Sequence, residues 1–340
     1  MSKFDVEVEK SGNAWDELVE KADHTTIFHE WKWLKIAEKA SRTKLLPLVV
    51  RKNTTPVALY PVFLGKKLGL KLAFSPPPRA VMVYLGPAIV SYEKLKQSKR
   101  ESTTIEVVNA VDDFLKDLGV DYARVRTPPF FDDSRAFSWR NYSVSPQFTY
   151  VLNLSNGLKR LWENLDRSLR RSIEKSKQKG VSVREGNFDD LERIRQNMKA
   201  RFQELGVKVS EDYHKEYFRD LFKEFHPDKM KILSVEYNGE SVGGIVLLCH
   251  KNRVSYWFGM GKTTIKGIYP NDVLQWEAIK WSLENGFRYY EEIDAGDDPR
   301  LRHYKSKFNP SLVPWYSAVK RYSLFGRVAE SVSKALGKGW

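Results

Sequence analysis

The order of periodic segments repeats across this chain, and that repeat constrains the fold more than any single motif. In the second half, Val181 to Arg184 alternates like a short strand. Asp189 to Leu205 then carries Leu191, Ile194, Met198 and Phe202 at helical spacing, and Gly206 stops it. Glu211 to Phe225 keeps the helical period through Tyr217 and Leu221. Three strand-like runs follow, Lys231 to Tyr237, Ser241 to Leu248 and Arg253 to Gly259, with Asn238-Gly239 as a tight-turn signal between the first two. Pro270 opens a helix that Gly286 closes. Tyr289 to Ile293 reads as a strand, Pro299 to Lys307 as a short helix and Val313 to Lys320 as a last strand. The string is β-α-α-β-β-β-α-β-α-β.

The first half gives nearly the same string. Phe4 to Val8 is strand-like, and Trp15 to Glu20 and Glu30 to Ala40 are helical. Leu46 to Arg51 and Val57 to Leu64 form a hairpin, and Leu68 to Phe74 and Val81 to Val90 flank a Ser-Pro-Pro-Pro loop. A helix through Ile105, Val108, Val111, Leu115 and Leu118 ends at Gly119, before a strand at Tyr122 to Arg126. The chain reads as a tandem duplication of one α+β unit. The expected boundaries are a first domain over 1–154, a connecting helix over 155–180, a second domain over 181–322 and a terminal helix over 323–340.

Composition narrows the class. The 340 residues are 41% hydrophobic and 29% charged, which suits folded cores and not a disordered or membrane-spanning chain. A formal charge of +14 calls for an acidic partner. The lone Cys249 excludes a disulfide framework or thiolate zinc site, and the six histidines lack metal-ligand spacing, so no metal is expected. The opening residues have no apolar signal core, and Ala80 to Val90 is too short to span a bilayer, so the expectation is a cytoplasmic protein.

Between the halves lies a basic amphipathic segment, Leu158 to Gly180, with Leu158, Leu161, Trp162, Leu165, Leu169 and Ile173 on one stripe. Its other face carries eight cations against Glu163, Asp166 and Glu174. Guanidinium forks at Arg167, Arg170 and Arg171 suit phosphate; the same charges equally suit the solvated face of a linker helix. The tail, with Leu324, Val328, Val332 and Leu336 on one side among basic residues, packs on the first domain or lies on the inner, anionic membrane face.

Taken together, the element string resembles the GNAT acyltransferase fold, and two such units in tandem resemble the Fem-like acyl and aminoacyl transferases. Three patches carry the likeness: Phe28-His29-Glu30-Trp31-Lys32-Trp33, the basic Arg170-Arg171-Ser172-Ile173 running into Lys179-Gly180-Val181, and Asp294-Ala295-Gly296 followed by Tyr304-Lys305-Ser306-Lys307-Phe308. They lie in the family's order over roughly residues 10–320. Two departures stand out: Asn309 replaces the family's last glycine, and there is no long helical-hairpin insertion of the kind some members use around charged tRNA.

The resemblance implies two tandem GNAT-like domains, each a mixed, mostly antiparallel sheet flanked by helices. It implies a cleft where two central strands splay, near Tyr256 to Gly259 and Ile293 to Gly296. There Lys305 would offset developing negative charge and Asp294 would act as base. Asp297 and Asp298, before Pro299, read as helix caps. Lys32, Lys35, Arg167, Arg170, Arg171, Trp257, Tyr269 and Lys307 are the expected substrate-binding residues. The donor turn would use Gly259, Gly261, Lys262, Lys266 and Asn271, although Thr264 and Tyr269 break the acyl-CoA fingerprint. The implied activity is transfer of an acyl or aminoacyl group to an amine or hydroxyl of a phosphorylated or cell-envelope precursor. No tightly bound cofactor is expected; acyl-CoA or aminoacyl-tRNA would be the co-substrate. The alternative is a non-catalytic protein that binds nucleic acid or anionic lipid through its basic helix.

Overall fold

The computed structural model describes residues 4–204, 206, 214–261, 265, 267–293 and 298–323. The chain divides into two compact units, unit 1 being residues 1–147 with 314–340 and unit 2 being residues 148–313. Unit 1 opens with β1 (Phe4–Val8), α1 (Gly12–Lys21), α2 (Trp31–Ser41), β2 (Lys44–Lys52), β3 (Thr55–Lys67) and β4 (Leu70–Ser75). Then come β5 (Ala88–Ile89), α3 (Gln97–Asp117), β6 (Tyr122–Arg126) and α4 (Arg135–Trp139). The strand β7 (Ser143–Asn153) leads into α5 (Gly157–Asn164), α6 (Arg167–Gln178), β8 (Ser182–Glu185), α7 (Phe188–Glu204) and α8 (Lys215–Phe225). Unit 2 continues with β9 (Met230–Tyr237), β10 (Glu240–His250), β11 (Arg253–Gly261), α9 (Pro270–Glu284), β12 (Tyr289–Glu292) and α10 (Pro299–Ser306), and β13 (Ser311–Arg321) returns to unit 1.

The strand pairings of the two units follow one plan. In unit 1, β1, β2, β3 and β4 pair antiparallel in sequence, β4 pairs parallel with β6, and β6 pairs antiparallel with β13. In unit 2, β8, β9, β10 and β11 pair antiparallel, β11 pairs parallel with β12, and β12 pairs antiparallel with β7. The unit 1 pairing is therefore extended by β13, which follows unit 2 in sequence, and that of unit 2 by β7, which begins in the unit 1 stretch. Val313 to Lys320 was expected to end the second domain; it instead supplies Ser317 to Arg321 to the edge of β6. The connecting helices α5 and α6 belong to unit 2, where Leu161, Leu165, Leu169 and Ile173 join a core with Leu247, Leu274 and Tyr290. Unit 1 has its own core, in which α3 residues Val107, Val108 and Val111 pack among Leu48, Tyr60 and Ala123.

Two further expectations differ from the structure. The segment Leu158 to Gly180 is not one helix: Leu165 turns extended, and Asp166 caps α6 by accepting from the Ser168 amide at 2.7 Å. An aspartate satisfies an orphan helix-start amide more effectively than it continues a helix. Within Val81 to Val90 only the two residues of β5 form a strand. Gly86 there takes φ 65°, and its amide is held by Ser75 Oγ at 3.0 Å, while Pro87 has no ladder donor. Among the described residues, no helix is long and apolar enough to cross a membrane, and no acidic, histidine or cysteine group is placed to hold a metal. The terminal segment 324–340 lies outside the described residues.

Candidate active site

The parallel pairing at the centre of unit 2 stops before β11 does. β11 and β12 stay in register from Arg253–Tyr289 to Tyr256–Glu292, and the pairing ends there although β11 runs on to Gly261. The register of β11 against β10 also shifts at this point: Leu247 faces Tyr256 and Val246 faces Phe258, so Trp257 is the extra residue of a bulge. Two residues on, Gly259 is required by packing, because a Cβ there would sit 2.5 Å from Ile245 Cγ2 and 2.8 Å from the Gly244 carbonyl.

A cavity of about 1560 Å³ opens where this pairing ends, walled by α6, α7, β10, β11, α9 and α10. Its floor is polar, with a buried lysine. Lys305 on α10 is 5% exposed, lines the cavity, and donates to the Ile293 carbonyl at 2.9 Å, with Nζ 5.9 Å from the centroid of the Tyr256 ring. Tyr256 and Tyr304 also line the cavity, and burial raises both phenols, with Glu292 adding to the rise in each. Behind them Glu292 is fully buried, and neither carboxylate oxygen has a hydrogen-bond partner among the described residues. Burial pushes Glu292 up to about 7, and the charge of Lys305 opposes that rise. Its neighbour Glu291, on the opposite face of the strand, is satisfied by Ser255 Oγ at 3.0 Å and faces Arg253 at 3.6 Å.

The side wall joins α6 to α9. Ser172 donates to Asp272 in a short contact, Lys177 pairs with Glu277, and Ser176 Oγ accepts from the Tyr269 amide at 3.0 Å. Tyr304 donates to the Asn271 carbonyl at 3.2 Å. The start of α9 therefore carries Pro270 at its first position and the carboxylate of Asp272 in its first turn. Burial raises that carboxyl, partly countered by the hydrogen bond from Ser172.

Residues 163–306 match the model of the GNAT acetyltransferase domain. Over 93% of this chain and 96% of the other, the structure is similar to that of FemX, with a TM-score of 0.69 at 11% identity. The chain has the tandem GNAT fold of the Fem-like proteins. It is also similar to a tandem GNAT protein of the clavulanic acid pathway, at 11% identity and TM-score 0.55 over 94% of this chain and 99% of that one. A C-terminal domain assigned to a lysylphosphatidylglycerol synthetase of Agrobacterium fabrum matches at 13% identity and TM-score 0.57, over 94% and 97%. No curated protein matches the chain in sequence.

Within this Fem-like fold the residues singled out from sequence separate into groups. Lys305, Lys307, Trp257, Tyr269, Gly259 and Asn271 line the cavity. Gly261 lies in β11 opposite Gly243. Arg167, Arg170 and Arg171 do not line it; the same helix turns Ser168, Leu169 and Ser172 inward and leaves Arg167 and Arg171 exposed. Lys32 and Lys35 are exposed on α2 of unit 1, where Lys35 contacts Glu38. Asp294, Lys262 and Lys266 lie outside the described residues. Glu292 was missed. Its signal was the pair Glu291-Glu292 inside the short strand-like run Tyr289 to Ile293, where alternation turns the two carboxylates to opposite faces and burying either is costly without a partner.

Proposed function

We propose that this chain transfers an acyl or aminoacyl group to an amine or hydroxyl of a phosphorylated or cell-envelope precursor, with the chemistry in unit 2. The observation that carries the reading is the cavity where the β11–β12 pairing ends, with the buried ammonium of Lys305 at its floor. Attack on an activated acyl carbon places negative charge on its oxygen, and a cation held dry and fixed stabilises that charge far better than one in water. Tyr256 and Tyr304 add hydroxyls at the same floor. Asp294 remains a base proposed from sequence.

The wall favours an aminoacyl ester over acyl-CoA as donor. A pyrophosphate docked at the start of α9 would meet the Asp272 carboxylate, which already occupies that first turn. The exposed Arg167 and Arg171, outside the cavity, give an anionic donor such as aminoacyl-tRNA a place to rest. The similarity to FemX and to the lysylphosphatidylglycerol synthetase domain supports an envelope-type acceptor. That same outward basic face is the one observation favouring the second reading, a binding protein for nucleic acid or anionic lipid without turnover.

Thermal stabilisation separates these readings. Aminoacyl-tRNA is expected to raise the melting temperature saturably and acetyl-CoA to leave it unchanged. A saturable rise with acetyl-CoA overturns the donor assignment. A rise with uncharged tRNA equal to that with aminoacyl-tRNA, lost steeply with salt and without transfer to any amine, overturns the transferase reading in favour of binding.

A further inference from the structure

Among the described residues, four acids line the cavity: Asp190, Glu204, Asp272 and Asp298. Three of them already face an arginine. Asp190 pairs with Arg184 at 2.7 Å, Glu204 with Arg201 at 2.9 Å and Asp298 with Arg300 at 3.0 Å. Asp272 differs: among the described residues it has no ion pair, and its side-chain partners are hydroxyls. Ser172 on α6 donates to its Oδ2, and the Tyr304 hydroxyl lies close by, giving its proton to the Asn271 carbonyl at 3.2 Å. Lys307, also in the lining, acts on it from beyond ion-pair distance. A carboxylate accepts about four hydrogen bonds, so one serine leaves most of that capacity open. A half-buried carboxylate whose charge is not offset is costly to hold, and burial raises this one accordingly. An incoming cation removes that cost. Tyr256, Trp257, Phe258, Tyr269 and Tyr304 line the same cavity, and the faces of such rings attract an ammonium.

We propose that Asp272 is the receptor for the free α-ammonium of an aminoacyl donor, in the same cavity that presents the Lys305 ammonium to the donor's carbonyl. The proposal deepens the transferase reading and rests on it. In an aminoacyl ester a single carbon separates the ammonium nitrogen from the reacting carbonyl. The reacting end thus carries a cation on one side and, on the other, an oxygen that gains negative charge on attack. The cavity offers the matching pair, an anion at Asp272 and a cation at Lys305. The two are linked through α10, where Tyr304 reaches the start of α9 at Asn271 and Lys305 is the next residue. An ammonium has three N–H donors to place. The Asp272 carboxylate and the Ser172 and Tyr304 hydroxyl oxygens, which keep lone pairs while they donate, are acceptors for them. The ligand class is an amino acid esterified through its carboxyl with its α-amine unblocked. A plain acyl group brings no cation and leaves Asp272 without a counter-charge, so this residue sets the choice of donor.

Small probes on the full chain test this. Glycinamide, L-alaninamide, L-serinamide and L-lysinamide carry the ammonium and carbonyl of an aminoacyl ester without its leaving group. Each is compared with its Nα-acetyl form, which has no charge on that nitrogen, by the shift in melting temperature with concentration. At least one free amide is expected to stabilise the protein saturably, and its Nα-acetyl form to leave it unchanged. Asp272→Asn is expected to weaken that binding about 10–100-fold, the range for a hydrogen-bonded charge. Absence of a saturable shift with every free amide, or equal shifts with the acetylated forms, overturns the proposal. A shift with Nα-acetyl-L-lysinamide and with none of the free α-amines of the shorter amides overturns it too, assigning the carboxylate to an acceptor amine. An Asp272→Asn protein that melts lower but keeps its affinity shows only a latch between α6 and α9, and the proposal falls. Should that variant not fold, Asp272→Glu keeps the charge and displaces it, and an unchanged affinity overturns the proposal. If the amides fail while aminoacyl-tRNA still supports transfer, the receptor falls and the transferase reading stands. Amide binding that Asp272→Asn abolishes, in a protein that transfers nothing from aminoacyl-tRNA or acetyl-CoA, overturns the transferase reading and supports the receptor.

Discussion

Asp112 and Lys320, 208 residues apart in sequence, form an ion pair in unit 1 between a buried carboxylate and a partly buried ammonium, with Nζ 2.8 and 2.6 Å from the two carboxylate oxygens. Tyr322 donates to the same carboxylate at 2.6 Å, Tyr142 at 3.0 Å and Arg140 at 2.8 Å. The carboxylate on α3 thus holds the returning strand β13, whose pairing completes the unit 1 sheet.

Burial alone would raise the Asp112 carboxyl, but the hydrogen bonds from Lys320 and Tyr322 outweigh it and hold the group below its usual range. Its stabilising effect is therefore present above the unfolded-state value and is lost as pH falls through the lower folded-state value. Asp112→Ala, which takes the shared acceptor from a partly buried ammonium and two tyrosine hydroxyls, is expected to cost about 1–3 kcal/mol in urea unfolding at neutral pH. The penalty should shrink under strongly acidic conditions. A loss below about 1 kcal/mol would show that β13 is held by its ladder and packing alone.

For Glu292 the sign is reversed. Its folded-state value is raised to about 7, so the folded chain keeps a proton that the unfolded chain has already released. Stability should fall as pH rises from about 4.5 to about 7 and then level off, by a total of about 3 kcal/mol from this group. Glu292→Gln should flatten that part of the profile. Thermal unfolding across the range checks it, and an unchanged slope would place the carboxylate in a wetter setting than its burial indicates.

Lys305→Met should reduce transfer about 100–1000-fold while leaving the apparent affinity for the acyl donor nearly unchanged, since the ammonium acts on charge that appears only during the reaction. Circular dichroism should show a folded protein. Equal losses in turnover and affinity would make Lys305 a binding group instead.

Gly259→Ala puts a methyl 2.5 Å from Ile245 Cγ2 and 3.0 Å from Tyr256 Oη, so β11 must shift beyond the end of its pairing with β12. A destabilisation of about 1–3 kcal/mol is expected, together with impaired ligand binding. Gly239→Ala serves as a comparison in open space: its strain comes from a φ of 77°, with no atom in the way. Ligand affinity should change in the first variant and not in the second.

Much of the fold was legible because it rests on periodicity. The helical period of α7 and α9, the Asn238-Gly239 turn and the strand lengths of β9 to β11 all appear in sequence with nearly their structural bounds. That Lys305 and Tyr269 line the cavity was reachable for Lys305 through the late local patch and for Tyr269 through the turn before Pro270. Other features were hidden for physical reasons. Alternation in Val313 to Lys320 shows that one face is buried, but it does not say which neighbour the edge finds, and β6 rather than the unit 2 sheet takes it. β7 is masked by Pro146 and a polar start, although Thr149 to Leu152 is fully buried and strand-like. Asp166 looked like one more charge on a polar face and is the cap that divides the helix. Glu292 resembled a surface acid because sequence does not show that α10 closes over it.

The reciprocal closing strands bear on how such a protein is made. The first sheet lacks its edge until residue 321 has been synthesised, so the earlier half must wait, with β6 unpaired on one side, through most of translation. Contacts of this span are slow to form, and an open strand edge in the interval is an invitation to mispairing that a chaperone would have to cover. A gene divided at the middle would yield two fragments, each carrying the strand the other needs. Neither is expected to persist alone, and co-expression is the condition under which both would.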